Sequence, residues 1–315
     1  MQRVLKPILT VVIPVYRNEG SISDLVAAVS QLSRLAGGRF EAVFVVDGSP
    51  DRSYSLLRSA LPGAGFASQL ITLSRNFGSF AAIRLGLSRA QGHYIAVMAA
   101  DLQEPPELIS RFLEVLQGGE RDVAFGVREA RHDALSSKLA SRLFWALYRR
   151  LVMRDIPPGG VDIFAMTAEF RDRLLNLGES NTSLLAQLFW LGGRRDFVPY
   201  VRRKRQHGSS AWTVGKKLRY LSDSVFSFTD LPVRMLLGLG VFTLLVAVVM
   251  AAVVLLAKAF GIVGVPGYAG TMLTILFFGA FNALGLGVVG EYAWRTYENT
   301  KARPLVLVQS EESFG

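Results

Sequence analysis

The stretch YIAVMAADLQEPPE, residues 94–107, decides how the first half of the chain is read. Tyr94–Ala100 is an apolar run of strand length. Asp101 follows it directly, with Gln103 and Glu104 just beyond. Pro105–Pro106 then reads as a helix start, because proline fits the first helical turn. Acids at the C-terminal end of a buried strand lie on the edge where open α/β sheets bind ligands. Oxygen ligands grouped this tightly suit a hard cation such as Mg²⁺, shared with a substrate phosphate. Alone, the stretch fits a solvated helix cap equally well; its surroundings choose between the two.

Working outward, residues 1–130 alternate between two patterns. Strand-like apolar runs occur at Leu9–Pro14, Ala42–Val46, Leu70–Leu73, Tyr94–Ala100 and Val123–Val127. Helix-period segments lie between them at Ser21–Leu35, Ser53–Ala60, Phe80–Ala90 and Pro106–Leu116. This order predicts an α/β fold with a doubly wound parallel sheet covered on both faces. The first four strands end in polar loops: Pro14–Glu19, Asp47–Asp51, Ser74–Gly78 and Asp101. In a parallel sheet those ends share one edge, so a binding site is expected there. No GxGxxG follows the first strand and no GxxxxGK[ST] occurs, which counts against a dinucleotide oxidoreductase and a P-loop ATPase.

Half of the 315 residues are hydrophobic, and they are unevenly spread. Met235–Ala257 has no charge and is long enough to cross a bilayer; Gly267–Gly290 is a second such run, interrupted mainly by Asn282. Arg194–Arg219 is dense in basic residues, and Arg295, Lys301 and Arg303 follow the second run, whereas the connection offers only Lys258. The positive-inside rule therefore puts both termini and residues 1–230 in the cytoplasm. MQRVLKPILTVVIPVY lacks an h-region with a cleavage site, so no signal peptide is expected. The expected division is a cytoplasmic domain at 1–230, a two-helix transmembrane hairpin at 231–295 and a cytoplasmic tail at 296–315. Cysteine is absent and the histidines are His93, His132 and His207, so thiolate and histidine metal clusters are not expected. The net charge of +10 crowds beside the apolar runs, which favours lipid headgroups over nucleic acid. Ala134–Val152 reads either as an interfacial helix or as one packed on the core, and Lys216–Phe228 as a second interfacial helix. Gly279, Ala283 and Gly287 form a small-residue stripe that permits close helix packing.

VVIPVYRNEG (11–20), FVVDGSPD (44–51), SRNFGSFAAIRLGL (74–87) and MAADLQEPPELI (98–109), in this order, resemble the family 2 glycosyltransferases with a GT-A, Rossmann-like fold. Within these the chain looks like the polyprenyl-phosphate glycosyltransferases. The resemblance continues through GVREAR (126–131), PPGGVDIFAM (157–166), RRKRQHGSSAW (202–212) and FSFTDLPVR (226–234). It implies sugar transfer from a UDP- or GDP-sugar to a polyprenyl phosphate, assisted by Mg²⁺ or Mn²⁺, for cell-envelope glycan modification. It also implies a multi-pass protein of the inner membrane and a homo-oligomer, with a tetramer the first expectation. By the same resemblance Pro14, Tyr16, Glu19, Asp47, Arg75, Asn76 and Gln103 serve the nucleotide sugar. Asp101 and Gln103 hold the metal, and Arg128, Arg131, Arg202 and Ser210 hold the acceptor phosphate. Asp101, Asp162 and Arg205 are the catalytic candidates, with Asp162 orienting the sugar or pairing with an arginine. Glu104 reads as a first-turn acid favoured by the helix dipole. The chain departs from the family pattern at Val46 and Ala99, where acids are usual, and at Ala211, where lysine is. Those losses raise the alternative of a membrane-anchored sugar-nucleotide-binding protein without turnover. A processive polysaccharide synthase ranks lower, since no Gln-x-x-Arg-Trp occurs.

Overall fold

The computed structural model describes residues 7–130, 144–179, 181–203, 214–260 and 267–315. The chain forms two compact units, Met1–Leu218 with Arg303–Gly315, and Arg219–Ala302.

The first unit is built on an eight-stranded mixed sheet of order β7-β5-β6-β4-β1-β2-β3-β8. The parallel part is β1 (Leu9–Val15), β2 (Phe40–Val46), β3 (Ala67–Leu73) and β4 (Tyr94–Val97), with β1 between β2 and β4. Helices α1 (Ile22–Leu35), α2 (Ser53–Ala60), α3 (Ser79–Arg89) and α4 (Glu107–Gln117) connect these strands and lead on to β5 (Val123–Ala130). Strand alternation decides which helix covers which face. Val11, Ile13, Phe44 and Val46 share a cluster with Leu25 of α1, Leu57 of α2 and Phe112 of α4. Val12 and Val45 point the other way, onto α3 at Gly86, where a Cβ would stand 2.3 Å from Val12 Cγ1. Both faces are therefore covered, and the strands are buried almost without interruption.

The sheet is not wholly parallel, which corrects the sequence expectation. β6 (Phe164–Thr167) runs antiparallel between β4 and β5, and β7 (Arg195–Val201) pairs parallel with β5. β4 is also shorter than the apolar run. Met98 still donates to Val12 O at 3.0 Å, but β6 pairs only as far as Ala96. A helix at 144–151 (α5), α6 (Ala168–Leu175) and α7 (Leu184–Trp190) complete this part. In α5, Tyr148 is fully buried and the Trp145 ring lies against Gly160. So the described end of the Ala134–Val152 segment packs on the domain; its first part lies outside the described residues.

The last strand is β8 (Val308–Phe314), antiparallel to β3 at the opposite edge. It falls inside the segment read as a tail. Tyr54 donates to Glu312 Oε1 at 2.6 Å and Arg58 to Oε2 at 2.9 Å, while Arg89 pairs with Glu311 at 3.3 Å.

The second unit is helical: the end of α8 (Val214–Phe228), α9 (Leu231–Ala259) and α10 (Tyr268–Thr300). Among the described residues, Leu231–Met250 is the stretch long and apolar enough to cross a membrane, with a mean hydropathy of 2.4. The other expected span lies within α10. Of its glycines, Gly285 meets Leu236 of α9, while nothing lies within 4 Å of where a Cβ on Gly279 or Gly287 would stand. Arg295 fastens α10 to α8, pairing with Asp223 and Glu291 at 2.8 Å each and lying over the Phe226 ring.

Candidate active site

In the parallel part the order turns at β1, with β2 and β3 on one side and β4 on the other. The crevice beyond such a switch point is where open sheets bind ligands. The loop after β1 and the loop after β4 flank it, and Ser21 Oγ joins them by donating to Ala100 O at 3.0 Å. Three non-glycine residues among those described have left-handed φ. Two are in these loops, Arg17 at 55° and Leu102 at 51°. Such conformations persist where surrounding structure enforces them.

On the β1–β2–β3 side, hydrogen bonds tie the loops to one another. Arg17 N donates to Ser49 Oγ at 2.8 Å, Asn18 N to Ser53 Oγ at 3.1 Å and Glu19 N to Asp51 Oδ2 at 3.0 Å. Partial burial pushes the Asp51 carboxyl up, but hydrogen bonds from Ser49, Ser53 and the Glu19 and Ser53 amides hold it below its ordinary value. Glu19 in turn accepts from Arg52 N at 3.1 Å. Asp47, 2% exposed, accepts from Phe77 N at 2.7 Å and Gly78 N at 2.8 Å. Glu19 and Asp47, expected to touch the nucleotide, have carboxylates that also tie these loops together. Gly48, at φ 55°, lets these loops meet, since a Cβ there would stand 2.3 Å from the Arg75 carbonyl carbon. Pro14 and Tyr16 are half-buried at the crevice; Arg75 and Asn76 are exposed, with the Arg75 guanidinium 4.0 Å from the Phe77 ring centroid.

On the other side, Asp101 and Gln103 are half-buried at the β4 end, and Gln103 N donates to Asp101 Oδ1 at 3.3 Å. Beside them lies a cluster from three elements. Arg128 and Tyr200 are register partners in β5 and β7. Arg128 pairs with Asp162, and Tyr200 Oη donates to the same Asp162 oxygen at 3.1 Å. Burial opposes the Arg128 charge, yet Asp162 and Tyr200 hold its pKa above the ordinary value. Burial, then Asp162 and Glu104, raise the Tyr200 phenol, so it stays protonated and donates. Glu104 is only 2% exposed, and Arg202 Nε stands 3.4 Å from its Oε1. Burial first, then Asp162 and Asp101, push the Glu104 carboxyl up to about 7, against the pull of Arg202 and Arg128. Glu104 is thus a buried member of the site and not a solvated first-turn acid. Among the described residues Glu104 Oε2, Arg128 Nε and Arg202 Nε have no hydrogen-bond partner. Each buried unsatisfied group calls for an explanation, and three lie together here.

Four of the expected residues, Arg128, Asp162, Arg202 and Asp101, thus come together, and Asp162 takes the arginine-pairing option. Arg131, Arg205 and Ser210 lie outside the described residues. Sequence reading missed Glu104 and Tyr200. The available signal was the alternation FVPYV (197–201) ahead of the arginines, which marks a strand entering the site.

Residues 10–176 match the family model described as "Glycosyl transferase family 2". The chain belongs to that family. Glycosyltransferase sll0501 of Synechocystis is 32% identical over 301 residues, covering 95% of this chain and 94% of the relative. The bactoprenol glucosyl transferase of Shigella phage SfX is 29% identical, covering 96% and 99%. The undecaprenyl-phosphate 4-deoxy-4-formamido-L-arabinose transferase of Edwardsiella ictaluri is 31% identical, covering 96% and 93%. The described residues of this family 2 glycosyltransferase hold no group of three His, Cys, Asp or Glu able to cage a metal ion. Asp101 and Gln103 fit a different arrangement. Mg²⁺ commonly takes one or two protein oxygens and completes its shell with water and substrate phosphate.

Proposed function

We propose that this family 2 glycosyltransferase moves a sugar from a UDP- or GDP-sugar to a polyprenyl phosphate, for cell-envelope glycan modification. One observation carries this: end-to-end similarity to relatives named for bactoprenol and undecaprenyl phosphate. The site chemistry supports it. A phosphate monoester has its second pKa near ~6, so at neutral pH it is largely dianionic and needs no strong base. Its oxygen attacks the anomeric carbon, the bond from that carbon to the donor diphosphate breaks, and the electron pair leaves with the nucleoside diphosphate. No proton has to move from the acceptor. A site whose carboxylates are paired or buried, as Asp162 and Glu104 are, suits that chemistry.

Pro14 and Tyr16 would line the nucleoside pocket, with Glu19 and Asp47 fixing its loops and Arg75 and Asn76 at its edge. Arg128, Arg131, Arg202 and Ser210 would hold the acceptor phosphate, arginine matching phosphate geometry. Asp162 would keep Arg128 aligned, and Arg205 would meet the developing charge. Asp101 and Gln103 would hold Mg²⁺ or Mn²⁺, which when bound stabilises negative charge on the departing diphosphate. Leu231–Met250 and the apolar run within α10 would anchor the protein in the inner membrane, with the sheet domain and both termini cytoplasmic. Membranes containing the protein, given labelled nucleotide sugars and polyprenyl phosphate, should pass label into the lipid extract. Label that stays water-soluble with every donor would overturn the reading.

A further inference from the structure

Three contacts join the loop after β4 and the first residue of α4 to the end of β7. Arg203 N donates to Gln103 O at 2.8 Å, Arg203 Nη2 to Glu107 Oε2 at 3.2 Å, and Arg202 Nε faces Glu104 Oε1 at 3.4 Å. They differ in kind. The backbone bond does not depend on side-chain identity. The Arg203–Glu107 pair is more than half exposed, where ion pairs contribute little. Only the Glu104–Arg202 pair puts a charge in the interior, with the Glu104 side chain 2% exposed. Among the described residues Glu104 Oε2 has no hydrogen-bond partner. What the pair holds together is the Asp101–Gln103 loop and the end of β7.

Asp101 and Gln103 sit on one side of Glu104 in the chain, and Arg202 sits across from it. In the proposed reaction the first two serve the donor diphosphate and Arg202 the acceptor phosphate. Those phosphates must be placed so that the acceptor oxygen comes within about 3–3.5 Å of the anomeric carbon.

We infer that Glu104 is a positioning residue that seats Arg202 and the end of β7 on the Asp101–Gln103 loop, fixing the spacing between the two phosphate sites. The seating rests on this structure; its consequence for the acceptor rests on the lipid-phosphate reading above.

The test uses the full-length protein in lipid nanodiscs and the variants Glu104→Gln, Glu104→Asp and Glu107→Gln. Loss of the buried charge in Glu104→Gln should speed hydrogen exchange at the Arg203 amide about tenfold and raise the KM for polyprenyl phosphate about tenfold. Nucleotide affinity should stay within about twofold, because no nucleotide contact is removed. Glu104→Asp should recover part of both effects, and Glu107→Gln should behave as wild type. If Glu104→Gln does not fold, Arg202→Gln removes the same pair from its more exposed end and should show the same faster exchange. Unchanged exchange at Arg203, or nucleotide affinity falling in step with turnover, would overturn the inference. A wild type that glycosylates no lipid phosphate would discard the acceptor reading, while the exchange measurement would still decide the seating.

Discussion

Asp101 and Glu104 are three residues apart, and their environments give them opposite behaviour. Asp101 is half-buried at the sheet edge, and it is the acid proposed to hold the cation. Asp101→Asn should therefore lower lipid glycosylation at least about a hundredfold while leaving the melting temperature within about 2 °C. Turnover in matched metal concentrations checks it. Glu104 carries the opposite burden. Its carboxyl is raised from an ordinary 4.5 to about 7 in the folded protein. Below pH 4.5 both states are protonated and nothing is lost. Between 4.5 and 7 the unfolded chain ionises first, so stability falls as pH rises; above 7 the whole loss, about 3 kcal/mol, is in place. Glu104→Gln should then melt with wild type near pH 4.5 and distinctly above it at pH 8. Melting curves at both values in a metal-free buffer check the sign. Asp101 was legible because it ends an apolar run. Glu104 was not, because a helix-start acid looks the same in sequence whether water or a protein interior surrounds it. Asp47 was half legible: its place at the end of β2 could be read, but not that its oxygens would accept from the Phe77 and Gly78 amides.

Among the elements, β1 to β4 and the helices between them could be read from periodicity, since each is a long apolar or amphipathic run. β6 could not. It has four residues, and its neighbours are set by the chain's return from beyond β5. β8 was harder still. VQSEESF has the polar, acidic composition of a tail, and that composition suits an edge strand, where charge discourages unwanted pairing. Its acids find specific partners in Tyr54, Arg58 and Arg89. Six of its positions pair with β3, at roughly 0.2–1 kcal/mol each. A stop codon in place of Leu307 should therefore destabilise the sheet unit by roughly 1–6 kcal/mol and expose the β3 edge. Lower denaturation midpoints and increased light scattering would register both effects. Unchanged values would mean that β3 tolerates an open edge.

For the molecule as a whole, the sheet unit takes its residues from both ends of the chain. A chain that leaves this unit at Leu218 and rejoins it at Arg303 must cross any membrane between them an even number of times. If Leu231–Met250 crosses, the run within α10 crosses back. With no native cysteine, single cysteines can test this cleanly. Gly267→Cys, at the exposed start of α10, should react with an impermeant thiol reagent in spheroplasts, and Gln309→Cys, exposed in β8, only after lysis. The reverse pattern would put the sheet domain outside and away from cytoplasmic nucleotide sugars. The two apolar runs could be read from composition alone; the return of the chain to its own sheet could not, because nothing local in Val308–Phe314 names β3 as its partner.

That return also imposes a timetable. β3 leaves the ribosome early, but its neighbour β8 is made only after every helix of the second unit. At roughly 5–20 residues per second, the free side of β3 waits on the order of tens of seconds for β8. Throughout that interval the nascent chain presents an unfinished sheet. Until β8 docks, the open edge of β3 is a place where proteases and chaperones can find the chain.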